Sequence, residues 1–132
     1  MASQFTVEKP TFGKAFVGRE FLAATDAATT LTGDQTAHAI VTMTPGAARN
    51  LTTATAAQIV AAIPEARVGT CFELTVINGA AATHAITLVA GDGAVTLAGV
   101  AAMATIAAAS SVTYLGRITA TGTPAVTFYR KG

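Results

Sequence analysis

The groups best suited to catalysis or metal ligation are few in this chain. It has two histidines, His38 and His84, a single cysteine, Cys71, and seven acidic residues. The histidines stand far apart, with no companion at ligand spacing, so no metal site is expected. A nucleophile, base and acid can be assembled on paper from Ser110, His84 and Asp92, yet no G-x-S-x-G surrounds a serine. Gly91, Gly93 and Gly99 lack phosphate-loop spacing and the strand-to-helix context that such a loop needs. Cys71 falls on a strand pattern, where a thiol behaves as a small apolar group. These patterns point to no enzyme and no cofactor.

Glu73 is the charge that stands out, because it sits mid-strand. Its bland role is a solvated strand residue. Its functional role is an ion pair with another subunit, for which Arg117 is the expected partner.

The elements that must position these groups centre on residues 50–78, NLTTATAAQIVAAIPEARVGTCFELTVIN. Thr55 and Gln58 form a T-x-x-Q capping box, in which hydroxyl and carboxamide each take one orphan amide. Ile59, Val60 and Ile63 follow as one apolar stripe. Pro64 has no amide donor and restricts the residue before it, so the helix stops near Ile63. Residues 70–78 read as a strand with Phe72, Leu74 and Val76 on one face and Cys71, Glu73, Thr75 and Ile77 on the other. About two turns of helix are not stable alone, so the helix must lie against the sheet.

Short strands surround this unit. Residues 38–43 alternate (Ala39, Val41 and Met43 opposite Ile40 and Thr42), and Thr44-Pro45-Gly46 ends them in a turn. Residues 85–89 form a strand, and Gly91-Asp92-Gly93 predicts a hairpin back through residues 94–97. Residues 99–109 fit either a helix or a strand, and the strand is preferred here. Residues 111–119 alternate well, with Gly116 as a bulge candidate. After Thr121-Gly122-Thr123-Pro124, residues 125–129 close the chain as a last strand. The expected fold is mainly β: a compact sandwich or barrel with one short helix and an extended N-terminal arm. No repeat period and no linker are visible, so the expected organisation is an arm over residues 1–35 and a β domain over residues 36–132.

Composition argues for covered surfaces. Hydrophobic residues are 52% of the chain, but alanine supplies 31 of the 132 residues and threonine a further 23. Charged residues are only 11%, against about 25% in ordinary soluble domains. Between Val68 and Gly116 the only formal charges are Glu73 and Asp92. A free monomer normally carries more surface charge, so contact with other chains is expected. No membrane is: the longest nearly apolar stretch, residues 98–109, is too short to span a bilayer. With a net charge of +1 and no basic stripe, no nucleic acid is expected. Residues 1–16 carry Glu8 and no apolar h-region, so no secretory signal is expected.

Residues 1–35 hold four of the six phenylalanines, Phe5, Phe12, Phe16 and Phe21, interrupted by Pro10, Gly13 and Gly18. Spaced rings in an irregular arm are candidates for anchoring on another chain. With Glu73 and Arg117 they make up the expected interface set.

The run over residues 50–78, the Gly-Asp-Gly turn and the ending GTPAVTFYRKG together resemble small virion proteins of tailed bacteriophages, of the head decoration (cement) type. That resemblance spans about residues 49–130. It implies a structural protein made in the host cytoplasm and carried on the capsid surface. Such a protein sits there as an oligomer, here expected to be a homotrimer, and clamps capsomers of the major capsid protein. It implies no catalytic residues, since such proteins act through surfaces. A tail or fibre-base component, and a carbohydrate-binding β-module for host adsorption, are the alternatives. The absence of Trp and the presence of only two Tyr weigh against the sugar module.

Overall fold

A computed structural model describes residues 18–132. The body is two stacked sheets. Six strands form sheet A in the order β1 (Phe21–Ala23), β3 (Ile40–Met43), β5 (Cys71–Asn78), β9 (Ser110–Ala120), β10 (Ala125–Arg130), β7 (Val95–Leu97). Four form sheet B: β2 (Thr29–Thr30), β4 (Arg49–Thr52), β6 (Ile86–Val89), β8 (Thr105–Ile106). The inner faces meet in one core, to which sheet A gives Val41, Leu74, Val76, Val112, Ile118 and Phe128, and sheet B gives Leu51, Ile86, Leu88 and Ile106.

The first half of the chain is a coil. It runs through a strand of sheet A, a strand of sheet B and a helix, and then begins again. The first circuit is β1, β2 and helix α1 (Gly33–His38). The second is β3, β4 and helix α2 (Ala56–Ala62), and β5 and β6 start the third. Successive circuits stack in parallel: Phe21 lies beside Ile40, which lies beside Thr75. In sheet B, β2 likewise pairs with β4 and β4 with β6. The circuits differ in length, so no fixed period marks them in the sequence. The antiparallel pair β9 and β10 then completes sheet A beside β5.

Both helices start in the same way. Thr55 and Gln58 form the expected capping box, with Gln58 N donating to Thr55 Oγ1 at 3.2 Å and Thr55 N to Gln58 Oε1 at 3.0 Å. Thr32 and Gln35 repeat it at 3.2 and 3.0 Å. This second helix stands where irregular chain is expected, and Gln35, the expected arm boundary, is inside it. The six-residue helix survives by packing. Gly33 lies so close to α2 that a Cβ would overlap the Gln58 carbonyl. Buried Thr36 accepts from Ala54 N at 3.0 Å and donates to Thr32 O at 2.9 Å, tying one circuit to the next.

Three further expectations are corrected. The Gly91-Asp92-Gly93 turn does not make a hairpin: β7 crosses to sheet A and pairs in parallel with β10. Strand β6 already has β4 on one side and β8 on the other, so it has no free edge to offer. Gly116 is no bulge, since β9 pairs through it continuously with Phe72 of β5; the register shift lies at Ala125/Val126. Residues 99–109 are only briefly a strand. Ala101–Ala104 form a 3-10 turn, and strand β8 spans two residues. Arg130 Nη1 takes the carbonyls of Ala102 and Thr105 at 3.1 and 2.7 Å, and the buried Tyr114 hydroxyl donates to Met103 O at 2.7 Å. Side chains hold this backbone in place of a ladder.

Candidate interaction surface

Strand alternation decides what sheet A shows on its far side. Because Leu74 and Val76 point into the core, Cys71, Glu73, Thr75 and Ile77 point out. In β9 the outward set is Ser111, Thr113, Leu115 and Arg117; in β10 it is Thr127 and Tyr129; in β3 it is Ile40 and Thr42. None of these is buried. The ladders bring the sets together. Leu115 faces Glu73 on one side and Tyr129 on the other, and Cys71 faces Arg117. Phe21, Ile40, Thr75 and Thr113 form a row.

The outer face of sheet A therefore gathers the described members of the interface set, Phe21, Glu73 and Arg117. Phe5, Phe12 and Phe16 lie outside the described residues. Phe21 is 64% exposed on the edge strand β1, and Tyr129 is 41% exposed. Between the apolar side chains are mainly threonines. The Thr75 and Thr113 hydroxyls hydrogen-bond each other at 3.0 Å, which leaves that part of the face with little need of water. Such a face suits contact with another surface better than ligand chemistry.

Four charged side chains reach the face, Arg19, Glu73, Arg117 and Lys131, and three of them are engaged within the chain. Lys131 Nζ contacts Glu73 Oε2 at 2.5 Å. That contact holds the Glu73 carboxyl below the usual carboxylate range, against a smaller opposing effect of desolvation. Arg19 lies across the start of β3 and β5, donating to the carbonyls of His38, Ala39 and Glu73 at 3.0–3.2 Å and to Thr75 Oγ1 at 3.1 Å. Arg117 has no ion-pair partner among the described residues. Within the chain the Glu73 carboxylate is thus paired with Lys131, and Arg117 faces outward.

The catalytic candidates are placed elsewhere. Asp92 Oδ1 accepts from Ala94 N at 3.1 Å in its own turn. Ser110 Oγ donates to Ala107 O at 2.6 Å, bracing the turn into β9. No group of three His, Cys, Asp or Glu side chains is set to hold a metal ion among the described residues. No described helix is long and apolar enough to cross a membrane.

Sequence reasoning missed Arg19, Lys131, Ile40 and Tyr129 as members of this face. Alternation alone could have found Tyr129, because Val126 and Phe128 point inward and fix its direction. No local signal marks Arg19 or Lys131, which come to Glu73 from the two ends of the chain. No family model matches the chain, and neither does any curated protein or solved structure.

Proposed function

We propose that this chain is a structural virion protein of the capsid decoration type, which sits as a homotrimer on the outer capsid surface and stabilises contacts between capsomers. One observation carries the reading: the outer face of sheet A sets Phe21, Ile40, Ile77, Leu115 and Tyr129 among threonines, while Arg19, Glu73 and Lys131 are engaged within the chain. Exposed apolar side chains such as Phe21 and Tyr129, with half-buried Ile40, Ile77 and Leu115 around them, support contact with another macromolecule. The motifs over residues 50–78 and the ending GTPAVTFYRKG direct that general reading toward the phage decoration class.

In this reading the face works by burial. Leu115 and Tyr129 form its centre, in one row with Glu73 and with Arg117 in the row beside them, and the threonine hydroxyls supply a polar surround. Arg117 brings the charge available to a neighbour. The N-terminal phenylalanines add a second contact along the capsid.

Co-sedimentation with empty expanded capsids of the phage that encodes the chain is the test. The wild-type chain is expected to pellet with the shells and to saturate at a fixed ratio to the major capsid protein. A chain that stays in the supernatant at every capsid concentration overturns the proposal.

A further inference from the structure

Sheet A has two edges, and both run the same way. Strands β1, β3 and β5 are parallel, β9 reverses, β10 reverses again, and β7 is parallel to β10. Alternate residues of β1 bond to β3: Ile40 N donates to Glu20 O at 2.7 Å and Ala24 N to Thr42 O at 2.8 Å. The N–H and C=O groups of Phe21 and Ala23 therefore point away from the sheet. On β7, Val126 N donates to Ala94 O at 3.0 Å and Ala98 N to Phe128 O at 2.9 Å. The Leu97 amide and the carbonyls of Val95 and Leu97 are thereby turned to the opposite edge. Among the described residues no strand pairs beyond either edge. Neither strand carries a charge, a proline or a bulge, which are common guards of a free edge. Leu22 and Leu97 pack on the core at the two edges yet stay half-buried. Phe21 and Val100, the most exposed large apolar side chains among the described residues, lie beside the same two edges at 64% and 72%.

We propose that sheet A continues from copy to copy, with β7 of one copy beside β1 of the next in a closed, head-to-tail ring. This joint rests on the homotrimer reading above and gives it a geometry. In the register that sets Leu97 beside Leu22, the free groups meet: Phe21 N donates to Val95 O, Leu97 N to Phe21 O, and Ala23 N to Leu97 O. The two half-buried leucines then cover each other on the core side, and Thr96 stands beside Phe21 on the outer face. Edges that run the same way let one rotation repeat the joint until the ring closes. The outer faces of sheet A turn toward the rotation axis, where Leu115 and Tyr129 of the copies meet. Each edge strand has only three residues, so a joint has few hydrogen bonds and depends on that burial to hold.

Cys71 is the sole cysteine, so full-length chain with Cys71→Ser carries only the thiols placed in it. In that background, Phe21→Cys and Thr96→Cys chains are mixed equally and oxidised with copper phenanthroline. The mixture is expected to give disulfide-linked dimers about tenfold faster than either chain alone, because directly opposed strand residues have the spacing a disulfide needs. A chain with both substitutions is expected to close into a covalent trimer on a non-reducing gel. Adding Ala23→Pro to the Phe21→Cys chain removes an edge donor that β3 does not use, and proline is tolerated at such a position. Circular dichroism and melting are expected to be unchanged, and the link to be lost. Phe21→Cys linking to itself as fast as in the mixture overturns the proposal, because β1 would then pair with β1 about a twofold axis. So does a covalent ladder running past the trimer. No link in the mixture overturns it too: if the wild-type chain still sediments as a trimer, only this joint is lost, and if it is a monomer, the homotrimer reading falls as well.

Discussion

The Phe72 ring lies over the α-carbon of Gly116, its cross-strand neighbour, so closely that a Cβ there would overlap the ring. The same ring meets Phe128 edge-on, with centroids 5.6 Å apart and planes at 88°. Phe128 in turn meets Tyr114 edge-on at 6.5 Å. The absent side chain at 116 is thus filled by a ring from the next strand. Gly116→Ala is expected to destabilise the fold by about 1–3 kcal/mol, the usual cost of overpacking. Urea denaturation measures it. In a Phe72→Leu background the same substitution is expected to cost clearly less, since the group it collides with is gone. An equal cost in both backgrounds would place the strain elsewhere.

Thr36 is fully buried and bonds both Thr32 O and Ala54 N. Thr36→Val keeps the shape and leaves the Ala54 amide without its acceptor. A buried unsatisfied donor costs about 1–3 kcal/mol. The variant is expected to lose that much stability, while Thr36→Ser, which keeps the oxygen, loses less. Thermal or urea melts that rank the two the other way would contradict the tie between circuits.

How far the sequence can be read follows from which interactions are local. The capping box at Thr55 and Gln58, the stop at Pro64 and the alternation of β5 and β9 are local, and all are realised. The outward set Glu73, Thr75 and Ile77 was legible for the same reason. The helix at Gly33–His38 carries the same T-x-x-Q signature, but glycine opens it and polar residues fill it. Only packing against α2 makes it helical. Strand β4 offers one large apolar residue, Leu51, and takes its conformation from the parallel neighbours on either side. The crossing of β7 to sheet A depends on β6 having both edges occupied, which no window around Gly91 can reveal.

Stability should fall at the acid end through two carboxylates. The Arg49 guanidinium, at 2.8 Å, and the Gly46 amide hold the Asp26 carboxyl below its usual range, and Lys131 does the same for Glu73. A carboxyl with a lowered folded-state pKa contributes stability above its unfolded value, about 4. That contribution is lost as pH falls through the lower folded value. The urea midpoint is therefore expected to be level around neutrality and to drop below about pH 4, with a shallower drop in Asp26→Asn. Both pairs are exposed, so the effect is small and shrinks in high salt. Tyr114 acts at the other end. Burial raises its pKa, so its contribution is complete below about pH 10 and declines above that value. An Asp26→Asn acid limb as steep as the wild type would count against the Asp26 part of this account.

The central claim is that the outer face of sheet A joins copies of this chain, and sedimentation velocity tests it most directly. Leu115 lies at the centre of that face, between Glu73 and Tyr129, and it is not part of the buried core. Leu115→Glu should therefore leave the fold intact, as circular dichroism and melting will report, while placing a charge in the proposed interface. The wild-type chain is expected to sediment as a trimer, and Leu115→Glu as a monomer at the same concentration. A wild-type chain that remains monomeric at high concentration, or a Leu115→Glu chain that sediments like the wild type, would contradict the claim.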